Sequence, residues 1–384
     1  MRLLPLLLSV LALTSPTLTQ ARTATVPASA VHLCINLHDE DAAQAVAKVR
    51  ALGFSCYRKD ATGAPIESAL AAAGLKADLI VSGDPSPTGQ VAKISALARA
   101  HPGSVEFVEG PNEVNNHATS YGGSIDTTGG DQTRRSAIRL FMRDLVSTVR
   151  RDPNLANVPV LAHTDIHASW APADSANAHA YDGSTDSWPD YWPAQVSKEM
   201  SSAMPGKPQA LTEFGVRHAD RQPYLVPQWI AAALEAGIDR VWLYELRDER
   251  NDPYGLYAAD WTPKPAAAVL AELNWLLADT GRGGAAVTPL KAVIADPAVN
   301  SVMIAKSDGS YVHLLWRSWP DGKVHPLQWS YDRAATVHAM LWPHSSGLWS
   351  SDSVSWSKAA GQPSDWTSYT DGVLVLTVRP QGAV

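Results

Sequence analysis

Only two cysteines and four phenylalanines occur in the 384 residues, and no stripe of lysine or arginine runs through them. Together with a formal net charge of -7, that missing stripe argues against a nucleic-acid surface, which needs cations to neutralise phosphates. The cysteines have no histidine cluster at ligand spacing beside them, so a structural metal site lacks its donors. No Gly-x-Gly-x-x-Gly follows the first strand-like run, so the phosphate cradle of a dinucleotide fold is missing. No apolar run is long enough to cross a bilayer.

The one conspicuous apolar run, residues 3–13, follows Arg2 and gives way to small and polar residues. Thr19 and Ala21 are placed for cleavage after residue 21, and Ala28-Ser29-Ala30 offers a cut as late as residue 30. The segment reads as a secretory leader, and the expected destination is secreted or periplasmic. There, Cys34 and Cys56, in consecutive strand-like runs, either pair as one disulfide or remain two buried thiols.

What the chain does have is tryptophan and tyrosine, 14 and 11 of them. These rings suit sugar faces, but equally a β-sandwich core or a protein interface. From residue 31 to 280, short apolar runs alternate with alanine-rich helical runs. Strands are expected at 31–36, 54–58, 77–82, 105–113, 158–163, 177–181, 209–213 and 240–246. Between and after them come about eight helices, the last at 265–277. Eight strands in roughly 250 residues fit a (β/α)8 TIM barrel of the α/β class better than an open sheet. Polar residues recur at strand C-terminal ends, where barrel sites assemble: Asn36, Arg58, Glu113, His163, His179, Glu213 and Glu245.

After residue 284 helical runs stop. Short strands separated by Asp-Gly, Pro and Ser-rich turns predict an antiparallel β-sandwich domain over 285–384. Its tryptophans either plug a core or line a carbohydrate surface.

Two glutamates stand out. Glu113 closes Val-Glu-Phe-Val-Glu-Gly-Pro-Asn-Glu, where Pro111 cannot continue a ladder and the strand must break before the carboxylate. Glu213 closes Gln-Ala-Leu-Thr-Glu, just before Phe214-Gly215. Paired carboxylates converging on one cleft are the chemistry of glycoside hydrolysis. In that chemistry Glu113 serves as general acid, its pKa raised by apolar surroundings or a nearby carboxylate, with Asn112 bonding the sugar hydroxyl beside the cleaved bond. Glu213 serves as an ionised nucleophile, with Arg58, His179 and Tyr181 as the polar neighbours that keep it so. Glu109, deeper in its strand, is better placed to hold Arg58 than to touch sugar. Each of these residues also has a bland role as capping residue, structural ion pair or core histidine.

The segments Val-Glu-Gly-Pro-Asn-Glu-Val-Asn, Leu-Thr-Glu-Phe-Gly and Tyr-Gly-Leu-Tyr-Ala-Ala-Asp-Trp-Thr-Pro-Lys-Pro, the last over residues 254–265, resemble clan A glycoside hydrolases. This is the four/seven superfamily, and the likeness is to family 39 and to family 5 cellulase-like enzymes. The resemblance implies Glu113 as acid/base on strand four, Glu213 as nucleophile on strand seven, and matching roles for Arg58, His179 and Tyr181. It further implies retention of anomeric configuration, no cofactor, and in family 39 a C-terminal β-sandwich. Strand six departs from the common His-Pro-Tyr by reading His179-Ala180-Tyr181. At strand eight the sugar-stacking ring is either Trp242 or Tyr244. A loop with Trp188, Tyr191 and Trp192 is expected to offer an aromatic platform, and the polar loop 115–130 is long enough to cover one end of a groove.

The sequence therefore predicts a secreted retaining β-glycosidase acting on a polysaccharide or oligosaccharide, most simply as a monomer. A noncatalytic carbohydrate-binding protein on a degenerate barrel, or a transglycosylase, are the alternatives.

Overall fold

The computed structural model describes residues 23–82, 86–128, 136–165, 170–181, 191–238, 240–249, 252–279, 289–294, 296–317, 324–341, 354–361, 364–369 and 372–381. Eight parallel strands form the barrel: His32–Asn36, Cys56–Asp60, Lys76–Ile80, Val105–Glu109, Val160–Leu161, Ala176–Tyr181, Gln209–Gly215 and Arg240–Leu243. Strand eight pairs with strand one, and the ring closes between strands five and six through a single parallel bridge, Leu161 to Ser175. The molecule is thus a TIM barrel with a β-sandwich domain.

Seven α-helices are present among the described residues, against the eight expected; the link from strand five to strand six shows none there. Local chemistry sets their ends. Pro65, Pro87 and Pro265 open helices Pro65–Ala72, Pro87–Ala100 and Pro265–Leu277, where a missing N–H costs nothing. The helix Ser136–Arg151 buries Ile138, Phe141, Met142, Leu145 and Val149, one stripe at helical spacing, and its other faces are largely polar. By contrast Gln222–Glu235 is buried on nearly every face, because it is wedged between the barrel and the second domain.

That domain consists of a six-stranded sheet facing a three-stranded one. The larger sheet runs Ala24–Pro27, Val299–Ala305, Tyr311–Arg317, Leu374–Pro380, Ala335–Leu341, Val354–Lys358; the smaller runs Ala292–Ile294, Val324–Tyr331, Ser364–Tyr369. Its edge strand Ala24–Pro27 comes from ahead of the barrel and pairs in parallel with Val302 to Ala305. Trp316 and Trp329 are buried, so these two tryptophans serve packing.

Inside the barrel the side chains form layers. Cys34, Cys56, Phe107, Leu161, Ala210 and Trp242 make an apolar floor. Cys34 and Cys56, on adjacent strands one and two, are joined as a disulfide within it. Above the floor lies a polar layer around Arg58, and above that the mouth.

Candidate active site

Arg58 is the hub of the polar layer. Its Nε and Nη2 donate to Glu109 Oε2 and Oε1 at 2.6 and 2.8 Å, a bidentate fork. Its Nη1 donates to Asn36 Oδ1 at 2.9 Å and to Glu213 Oε1 at 2.6 Å, and Nη2 also donates to Asn112 Oδ1 at 2.8 Å. Burial opposes the charge on Arg58, but Glu109 and Glu213 outweigh it and hold the guanidinium more firmly protonated than usual. Asn177 and Thr212 complete the layer: Asn177 Nδ2 donates to Glu109 Oε1 at 2.9 Å, and Thr212 Oγ1 donates to Asn177 Oδ1 at 2.7 Å.

Glu113 does not end a strand as the sequence suggested. The ladder stops at Glu109, and the carboxylate lies four residues further, in a turn. Gly110 makes that exit possible. A Cβ there would sit 2.5 Å from Met142 Sδ and 2.8 Å from the His163 backbone nitrogen, so only glycine lets the chain pass between them. Glu113 itself adopts φ 42°, the left-handed region that side-chain-bearing residues rarely enter. Thr164 Oγ1 accepts from its backbone N–H at 2.8 Å and fixes the turn.

Both glutamates meet at His179 from strand six. Its Nδ1 lies 3.1 Å from Glu113 Oε1 and 3.4 Å from Glu213 Oε2. With carboxylates on both sides, that nitrogen carries the proton and donates. Glu113, His179 and Glu213 each offer an atom within 4.8 Å of the others. Tyr181 OH donates to Glu213 Oε2, and burial followed by the Glu213 charge pushes its phenol well above the ordinary value.

The raised acidity constant expected of Glu113 is not found. The hydrogen bond from His179 lowers its pKa, burial pulls the other way, and Asn116 Nδ2, donating to Oε2 at 2.8 Å, adds to the lowering.

A cavity of about 320 Å³ opens above the pair. Its lining brings together Asn112, Glu113, Tyr181, Glu213 and Tyr244 from the expected set, with Arg58 buried beneath. Trp242 does not reach it, because its inward position is one layer too deep, in the apolar floor against Phe107. Of the two candidates for a stacking ring, Tyr244 is the one at the mouth. Trp188 lies outside the described residues. Tyr191 and Trp192 fall in the first turn of the helix Tyr191–Ala203 rather than in a loop, and their side chains lie outside the described set.

Three lining residues were not among the expected site residues: His38, Asp252 and Tyr254. Tyr254 stands in one of the resembling segments, at residue 254 of 254–265, and the resemblance implies no role for it. Tyr181, Tyr244 and Tyr254 touch one another edge-on with centroids 5.3 to 5.9 Å apart, forming an aromatic wall beside Glu213. His38 lies behind Tyr244 and is 2.9 Å from Glu245, which is fully buried and therefore a support, not a sugar contact. Among the described residues, two groupings have donors close enough for a cation: Glu113, His179 and Glu213, and separately His38, Glu245 and Glu249.

No protein-family profile matches this chain, and no curated protein matches it either. Solved structures do. A monomeric beta-xylosidase from Caulobacter crescentus CB15 superposes with a TM-score of 0.57 at 14% identity, over 94% of this chain and 98% of that one. The GH39 enzyme from Xanthomonas axonopodis pv. citri gives 0.56 at 12% identity, over 93% and 96%. The catalytic domain of GH30 xylanase C from Talaromyces cellulolyticus gives 0.54 at 11%, over 93% and 99%. GH39 and GH30 are clan A families, the group whose motifs the sequence resembles. At such identities the likeness establishes the fold: a barrel with its appended sandwich, shared along almost the whole chain with glycoside hydrolases.

Proposed function

We propose that the protein is a retaining β-glycosidase in which Glu213 is the nucleophile and Glu113 the acid/base. One observation carries the reading: an oxygen of each carboxylate lies within 4.8 Å of the other, and both residues line one open cavity. Retaining pairs sit at about 5 Å, whereas inverting pairs leave roughly 6.5–9.5 Å for a water.

The surrounding groups fit the two roles. Arg58 and Tyr181 both donate to Glu213, one to each carboxylate oxygen, which holds the nucleophile in one orientation. In the first step Glu213 attacks the anomeric carbon as Glu113 gives its proton to the departing glycosidic oxygen. Glu113 enters that step as an acid once a bound sugar displaces the water around its partly exposed carboxyl, since desolvation favours the neutral form. After the glycosyl–Glu213 ester forms, one negative charge beside Glu113 is gone. Its pKa falls again, and it takes a proton from the water that releases the sugar.

The expected substrate is an extracellular polysaccharide or oligosaccharide, and the expected location is outside the cytoplasm. The apolar leader-like run at residues 3–13 and the Cys34–Cys56 disulfide support that location. Export is checked by mass analysis of the N-terminus after cell fractionation.

The mechanism is tested by proton NMR of the first-formed anomer and by two variants. Glu213→Ala should lose at least about 10³-fold in turnover while folding normally. Glu113→Ala should be rescued in part by azide on substrates with good leaving groups. Inversion of configuration, or wild-type activity in both variants, refutes the assignment.

A further inference from the structure

A second cavity, about 450 Å³, lies beside the catalytic one and is larger than it. The two share a wall, the side chain of Asn112. Its floor is apolar, formed by Ile80, Pro111 and Val114, all buried. Its rim is polar, with Asp60 at the C-terminal end of strand two, His117 in the loop after Glu113, and Thr119.

The rim is anchored. Thr119 begins a hairpin, Thr119–Tyr121 against Ser124–Asp126, in the polar loop that follows the fourth strand. Tyr121 OH donates to Asp144 Oδ2 at 2.9 Å, and Asp126 Oδ2 accepts from the Ile138 N–H at 2.9 Å. Both ties lead to the helix Ser136–Arg151, so this wall is part of the scaffold.

Resting on the glycosidase reading above, we propose that this cavity is a second saccharide subsite, and that the joined pockets accept neutral sugar units rather than uronic or sulfated ones. An apolar floor under a polar rim matches a pyranose, with one C–H face and a belt of hydroxyls. Asn112 supports continuity. Its Oδ1 is occupied by Arg58 and by Thr164 Oγ1, at 2.8 and 3.2 Å, and its Nδ2 has no acceptor among the described residues. That amide stands where the two pockets meet and can donate to a hydroxyl of a chain crossing between them.

The charge preference follows from what lines the pockets. Asp60 lies in one, and Glu113, Glu213 and Asp252 in the other. No lysine or arginine lines either among the described residues, and all five N–H groups of Arg58 are already used. An anionic sugar would add charge of the same sign, and His38, the lining histidine held toward its protonated form, already spends its charge on Glu245 at 2.9 Å.

The test compares 4-nitrophenyl β-xyloside, β-glucoside and β-mannoside with the 4-nitrophenyl glycosides of the matching β-1,4-linked disaccharides. In the series the enzyme accepts, kcat/KM for the disaccharide glycoside should exceed that of the monosaccharide by at least about tenfold, the worth of roughly 1.4 kcal/mol of extra contact. Asp60→Ala, and Ala118→Trp at the cavity's exposed mouth, should bring that ratio close to one. 4-Nitrophenyl β-glucuronide should be cleaved more slowly than the β-glucoside. A ratio near one in wild type, variants that leave it unchanged, or a preference for the glucuronide overturns the proposal. If no aryl glycoside is turned over, the glycosidase reading fails instead. The cavity is then judged by calorimetry with xylotriose, cellotriose and mannotriose: binding lost in Ala118→Trp supports the subsite, and no binding by wild type overturns it.

Discussion

Arg58 Nη1 donates to Glu213 Oε1 at 2.6 Å, and with that bond the guanidinium has no N–H left for a substrate. The cation steadies the proposed nucleophile from below. The same group ties strand two to strands one, four and seven through Asn36, Glu109 and Glu213. A single buried side chain therefore serves both the barrel interior and the site.

Arg58→Lys is accordingly not a conservative change. One ammonium cannot reproduce a planar fork, so Glu109 or Glu213 is left buried and unpaired. The expected cost is about 3–5 kcal/mol of stability, with a loss of at least about 10²-fold in kcat. Urea unfolding and steady-state kinetics on the same preparation check both. A variant that loses stability but keeps its kcat would reduce Arg58 to a strut.

Asp78 is next to Arg58 in register on strand three, buried, with no donor to either oxygen among the described residues. Burial first, then the Glu109 charge, hold its pKa well above the ordinary 3.8, so it is a neutral acid within reach of Glu109. A carboxyl whose folded pKa is raised contributes fully to stability below 3.8 and loses that contribution as pH rises toward the folded value. Asp78→Asn keeps a donor for Glu109 and has no proton to lose. It should therefore be more stable than wild type at pH 7, with the advantage shrinking as pH falls toward 3.8. Urea titrations from pH 3 to 8 measure it; a variant less stable at pH 7 would mean that Asp78 is ionised in the fold.

How much could be read without the structure differs from layer to layer. The barrel was legible because its strands and helices alternate in hydrophobic period. Parts of the sandwich were not: Val324–Tyr331 carries Pro326, Ser364–Tyr369 is largely polar, and Ala24–Pro27 borders the leader-like segment. The two glutamates were legible as residue types, but the exit of Glu113 from its strand depends on the close passage at Gly110, a tertiary fact. Asp78 was hidden inside an apolar run, and Trp242 was misleading because depth along a barrel strand has no sequence signature.

In the sandwich, His313 is buried, and its Nδ1 shares a hydrogen bond of 3.0 Å with Tyr331 OH. Burial pushes its pKa down to about 3. A histidine held neutral in this way contributes its full stability above the unfolded value of 6.5 and loses it as pH falls from there toward 3. The slope should be worth on the order of 4 kcal/mol over that window. His313→Leu should start lower at pH 7.5, by about 1–3 kcal/mol for the orphaned phenol, but lose less between pH 6.5 and 4. Parallel acid dependence in both proteins would place the sensitivity elsewhere.

If the leader-like segment is removed, the N-terminal strand makes the position of the cut a question of stability. Ala24 to Pro27 pair with Val302 to Ala305, so a cut after residue 21 keeps the edge strand and a cut after residue 30 removes it. In the shorter form the outer side of Val299–Ala305 loses its ladder partner. That leaves unpaired N–H and C=O groups beside the buried residues Val302, Met303 and Ile304. The first barrel strand begins only at His32, so the catalytic layers keep all their residues in either form. Protein beginning at residue 31 should therefore melt several degrees lower than protein beginning at residue 22, and aggregate sooner on heating. Its kcat, measured at 25 °C, should remain close to that of the longer form. Light scattering during a thermal ramp, run on both forms at equal concentration, checks the first expectation, and initial rates check the second. Equal melting and scattering would show that the strand is dispensable to the sandwich, and a collapse in kcat would show that barrel and sandwich are energetically one unit.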